Sequence, residues 1–71
     1  ERELVESVLR QLKPEHASLL LMRHHQGLSL GEIATVLDVT TDVAKARLFR
    51  ARTAFMRVYA TLDGEAGEED R

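Results

Sequence analysis

Apolar positions along this chain recur only at helical spacing. Leu4, Val5, Val8, Leu9 and Leu12 fall at i, i+1, i+4, i+5 and i+8, one face of a helix expected over roughly residues 1–12. Pro14 suits the first turn of a second helix, where its missing N–H has no partner to lose, and Glu15 places a carboxylate at the positive helix end. That helix is expected to reach about His25, with His24 and His25 near its negative end and Gly27 supplying the left-handed residue that closes it. Ser29 and Glu32 have the spacing of a capping box at the start of a third helix, and Leu28 is placed to pack on Ile33 as its hydrophobic staple. Leu30, Ile33, Ala34 and Leu37 form its buried stripe before Asp38-Val39-Thr40 interrupts the pattern. Thr40 is a good N-cap for a fourth helix, in which Ala44, Leu48, Ala51, Phe55, Val58 and Leu62 share a narrow arc at ~100° per residue.

The expected fold is therefore an all-α, four-helix domain. Its third and fourth helices, joined by a turn of three to four residues with the small Ala34 where they cross, make a helix-turn-helix pattern, a winged-helix-like DNA-binding architecture without a wing. An αα-hairpin in an ordinary bundle carries the same caps and stripes, so the outer face of the last helix has to discriminate. Asp42, Lys45, Ala46, Phe49, Arg50, Thr53, Met56 and Arg57 point outward on that helix, with Arg47 and Arg52 at the edge of the core. Five cations sit between Val43 and Leu62, and no acid does. A solvated bundle helix interleaves both signs for i,i+4 pairing, so a helix of this kind repels itself unless something anionic covers it.

Net charge conceals this asymmetry. The chain as a whole carries −2, but residues 1–62 hold nine Lys/Arg against seven acids, while residues 63–71 hold five acids, one base and two glycines. Residues 1–62 are accordingly read as one domain and residues 63–71 as an acidic flexible tail, with too little apolar surface to order itself. Opposite charge raises the further expectation that the tail folds back over the cationic helix.

Length and composition exclude several classes. With 71 residues there is room for one core, and without cysteine there is neither a disulfide nor a thiolate metal site, which fits the cytoplasm. The longest apolar run, Leu19 to Met22, cannot cross a bilayer, and the charged Glu1-Arg2-Glu3 start does not resemble a signal peptide. Beginning without Met, the chain is expected to be a piece of a longer protein. His16, His24 and His25 lack metal-ligand spacing and read as surface residues. Ser7, Ser18 and Ser29 assemble no nucleophile with a base and orienter, so no enzyme, metal or cofactor is expected. Tyr59 reads as a packing residue and outward Met56 as a contact for a neighbouring protein.

Leu12-Lys13-Pro14, Leu19-Leu20-Leu21-Met22-Arg23, Gly27-Leu28-Ser29-Leu30-Gly31-Glu32-Ile33-Ala34 and Ala44-Lys45-Ala46-Arg47-Leu48-Phe49-Arg50-Ala51-Arg52, in that order, resemble region 4 of bacterial RNA polymerase sigma factors over roughly residues 4–60. The type they look most like is the extracytoplasmic-function group. This resemblance implies a domain that recognises the −35 promoter element with its last helix, binds the β-subunit flap of RNA polymerase core, and often binds an anti-sigma factor. Carried over residue by residue, it puts Thr40, Lys45, Ala46, Arg47, Phe49 and Arg50 where the family meets DNA, and Ser29 with neighbouring amides at a phosphate, as a helix N-terminus permits. Thr41, small and at the helix start, joins Thr40 and Ala46 in leaving room for base edges.

The chain departs from the family pattern in four places. Asp42-Val43-Ala44 replaces Gly-Thr-Val, Ala46 replaces Ser, Ala17 replaces an Arg, and Asp38 replaces a turn Gly. Asp42 has two readings, a complement to the helix dipole or an acceptor for a cytosine amino group. Two other functions share these features: a sigma-like interaction module that binds an anti-sigma factor without DNA, and a helix-turn-helix output domain of another regulator. The acid-free cationic helix opposes the first and the KARLFRAR ending opposes the second.

Overall fold

The computed structural model describes residues 2–69, which contain four α-helices and one π-helical turn. These are α1 (Arg2–Gln11), α2 (Pro14–Leu20), the π-helix Leu21–His25, α3 (Leu30–Leu37) and α4 (Thr41–Glu69). There is no strand among the described residues. Helix α4 is the spine: α1, α2 and α3 all pack against it, and its 29 residues set the 47 Å long dimension of the molecule.

The core follows the predicted stripes. Val8 and Leu12 from the stripe of the first helix, Ile33 and Ala34 from that of the third, and Ala44, Leu48 and Ala51 from that of the fourth are buried together with Leu19 and Leu20 of α2, which belong to no predicted stripe. Val8 and Ile33 are the largest fully enclosed side chains, so truncating Ile33 to Ala would cost about 2–5 kcal/mol by lost burial and the cavity left behind. Phe55, Val58 and Leu62 are only half-buried, because α4 outruns the helices that cover its first half. Phe55 and Tyr59 stack there with centroids 6.0 Å apart and planes 22° from parallel.

Two features depart from expectation. The helix expected to run unbroken from Pro14 to His25 widens at Leu21, and Gln26 N–H donates to Leu21 O, five residues back, at 2.9 Å. Gly27, at φ 73°, then turns the chain, and Leu28 N–H closes onto Met22 O at 2.9 Å. Arg23 holds the loop from its side chain, donating from Nη1 to Leu28 O at 2.9 Å. The extra residue in this turn changes which side chains face outward, an effect of tertiary packing that a 3.6-residue period does not register.

The second departure is at the C-terminal end. Helical backbone continues through Glu69, past the helix end expected at Leu62 and into the segment read as a flexible tail. Gly64 costs a helix about 1 kcal/mol relative to alanine, but the surrounding Glu and Ala residues are strong helix formers and no proline intervenes. Composition therefore marks the end of the buried arc rather than the end of the helix. Residues 70 and 71 of the expected tail lie outside the described residues. No helix among the described residues is long and apolar enough to cross a membrane.

Candidate nucleic-acid interface

A short turn aims α4. Asp38 adopts the left-handed conformation (φ 57°, ψ 49°), Val39 N–H donates to Ala34 O at 3.0 Å, and Asp38 N–H donates to Thr35 O at 3.2 Å, together a Schellman closure of α3. Asp38 thus does the work of the turn glycine, since Asp tolerates this conformation better than most side chains. Two residues later, Thr40 Oγ1 accepts from Val43 N–H at 3.2 Å and caps α4 as expected. With Ala34 and Ala44 both buried, α3 and α4 approach closely and their relative direction is held.

At the other end of α3 the capping box is complete. Ser29 Oγ accepts from Glu32 N–H at 3.1 Å, while Glu32 Oε1 accepts from Ser29 N–H at 2.8 Å. The hydrogen bonds from the Ser29 backbone and side chain hold the Glu32 carboxyl below its ordinary range. Ser29 therefore has its amide engaged already, and Glu32 brings a negative charge to the place assigned to a phosphate. What this end of α3 still offers an anion is the amides of Leu30 and Gly31, which have no partner within the helix.

The outward face of α4 is open. Thr40, Thr41, Asp42, Lys45, Ala46, Arg47, Phe49, Arg50 and Thr53 are all exposed, Phe49 by 69%. Of the predicted contact residues, the structure gathers Lys45, Ala46, Arg47, Phe49 and Arg50 on consecutive turns of one helix, puts Thr40 and Thr41 at its start, and leaves Ser29 apart at the start of α3. Among the described residues the one salt bridge joins Arg2 to Glu6 at 3.9 Å, so no cation of α4 is neutralised by a described carboxylate. Asp42 lies in the first turn of α4, where its charge complements the helix dipole.

Two grooves flank α4 and share no lining residue. One, about 650 Å³ and mostly apolar, runs between α1, the π-helix and α4; Leu9, Leu20, Leu21, Phe55 and Met56 line it, with His24, His25 and Arg52 among its polar residues. Leu21 and Met56 are 43% and 62% exposed there. The other is lined by Glu15, His16 and Ser18 of α2, by Arg47 and Arg50 of α4, and by Leu19, Met22 and Leu37. His16 is half-buried rather than a plain surface residue. Sequence reading missed both grooves, because each is formed by residues from separate helices whose juxtaposition no single stripe reveals. Ala17, where the family pattern has arginine, packs against the core. No group of His, Asp or Glu able to hold a metal ion occurs among the described residues.

Residues 2–55 match the family described as Sigma-70, region 4. The chain belongs to that family. Region 4 is a DNA-binding domain of transcription initiation, and α3, the turn and α4 are its helix-turn-helix. A curated relative, the RNA polymerase sigma-H factor of Pseudomonas aeruginosa, is 34% identical over 62 residues, which is 87% of this chain and 32% of that protein. The chain thus spans about a third of that relative's length. No solved structure matches it.

Proposed function

We propose that this region 4 domain reads the −35 promoter element as part of a sigma factor of the extracytoplasmic-function type, working in the cytoplasm and without catalytic role or cofactor. The observation that carries this reading is the exposed, acid-free cationic face of α4, positioned by the capped turn from α3. Lys45, Arg47 and Arg50 supply attraction to phosphates. Thr40, Thr41, Ala46 and Phe49 meet or accommodate base edges, with Phe49 against a thymine methyl. Ser29 and the neighbouring first-turn amides of α3 lie at a backbone phosphate.

RNA polymerase core engages the domain through its β-subunit flap, and an anti-sigma factor competes for the same protein-facing side. Support for a protein-facing side comes from the apolar groove, which exposes Leu21 and Met56 away from Arg47 and Arg50. Chemical footprinting on promoter DNA tests the proposal. The domain should protect major-groove positions within the −35 element, and replacing Lys45, Arg47 and Arg50 together by alanine should erase the footprint while the fold survives. Unaltered protection by that variant would remove these three cations from the interface, and capture of protein partners with no footprint at all would replace this reading with the interaction module.

A further inference from the structure

We propose that the groove between α2 and α4 seats a DNA backbone phosphate, and that His16 takes up a proton when the phosphate enters, so that the grip on DNA tightens as pH falls through the histidine range. This rests on the promoter-DNA reading above. Two guanidinium groups, Arg47 and Arg50, an imidazole, His16, and a hydroxyl, Ser18, line the groove together with a single carboxylate, Glu15. Glu15, Ser18, Arg47 and Arg50 are exposed and His16 is half-buried, so an anion can reach them from outside. Arg47 and Arg50 belong to the face assigned to DNA, which brings a phosphate beside them to the mouth of the groove and within the compass of α2.

Protonation follows from the charges. A phosphate lying among Arg47, Arg50 and His16 favours the imidazolium over the neutral ring, while Glu15, the one carboxylate of the groove, disfavours the phosphate. A neutral imidazole donates from one nitrogen, the imidazolium from both, so proton uptake also adds a donor toward the phosphate. Carboxylates and guanidinium groups ordinarily keep their charges between pH 5.5 and 8, and histidine does not.

The test is DNA affinity by fluorescence anisotropy at pH 5.5 and pH 8, for the native chain, His16→Gln and a His24→Gln/His25→Gln double variant. His24 and His25 line the other groove and serve as the control. Native chain and double variant should both bind several-fold tighter at pH 5.5, up to about tenfold for one unit of proton affinity gained on binding, while His16→Gln shows no such gain. In NMR titrations, His16 alone among the three should stay protonated to higher pH when duplex is added. Circular dichroism confirms that His16→Gln is folded. Native binding that is the same at both pH values, or a gain that survives His16→Gln, overturns the inference and leaves the promoter reading standing. Failure of the native chain to bind any duplex at either pH, even at low salt, overturns both.

Discussion

Ser29 and Glu32 satisfy each other at the start of α3, with Ser29 N–H donating to Glu32 Oε1 at 2.8 Å and Glu32 N–H donating to Ser29 Oγ at 3.1 Å. The pair closes the helix whose far end sets the direction of α4, so a local cap has a consequence at the DNA face. Ser29→Ala should lower stability by about 1 kcal/mol, readable in urea unfolding.

The same pair makes stability depend on pH. Hydrogen bonds from Ser29 depress the Glu32 carboxyl in the folded state. A depressed carboxyl stabilises the fold above its unfolded value, and that contribution disappears as pH falls through the folded value. Glu32→Gln should therefore destabilise the domain at pH 7 and have less effect in acid. Equal effects of the substitution at pH 7 and pH 3 would show that the charge of Glu32 is not what the cap uses.

Asp38, at φ 57°, carries the turn between α3 and α4. Asp38→Val should cost about 1–2 kcal/mol, since a β-branched residue resists the left-handed region, whereas Asp38→Gly should be tolerated. Thermal unfolding of the two variants orders them, and a tolerated valine would show that the turn relaxes to another conformation.

Local features of this kind were legible in the sequence. The capping box, the Thr40 cap, the left-handed Gly27 and the three buried stripes of α1, α3 and α4 each depend on residues within one turn or one face, and each lies where its pattern puts it. The π-helical turn at Leu21–His25 was not legible, because packing around Arg23 and Leu28 decides it. Nor was the continuation of α4 to Glu69, since low hydrophobicity was read as loss of helix although Glu and Ala both favour helix. At the interface, the cationic face could be read from one helix alone, while the engagement of the Ser29 amide by Glu32 and the placement of His16 in one groove with Arg47 needed the structure.

Continuous helix through Glu69 also bears on the acidic segment. At about 1.5 Å per residue, Asp63 lies about 20 Å along the axis from Arg50, beyond the Debye length of roughly 8 Å at physiological salt. While that helix persists, the segment cannot fold back over the cations of its own helix. Removing residues 63–71 should leave DNA affinity at physiological salt unchanged in anisotropy titrations; a severalfold gain would establish the fold-back that opposite charge first suggested.

Exposed Phe49 and Arg50 stand next to each other in the chain and should fail in different ways. Arg50→Ala should weaken binding to every duplex and reduce the salt slope by about one, the contribution of one phosphate contact. Phe49→Ala should alter sequence preference with little change in slope, because it removes an apolar contact to a base. If Phe49→Ala weakened all duplexes equally, base contact would be the wrong role for it.

The most direct test of the central claim, that α4 is held by the turn from α3 in order to read promoter DNA, is anisotropy of the native domain across a salt series on duplexes carrying the −35 element and on shuffled controls. The account predicts tighter binding to the promoter duplexes at every salt concentration, with log affinity falling linearly as log salt rises. Equal affinity for promoter and shuffled duplexes throughout the series would contradict it.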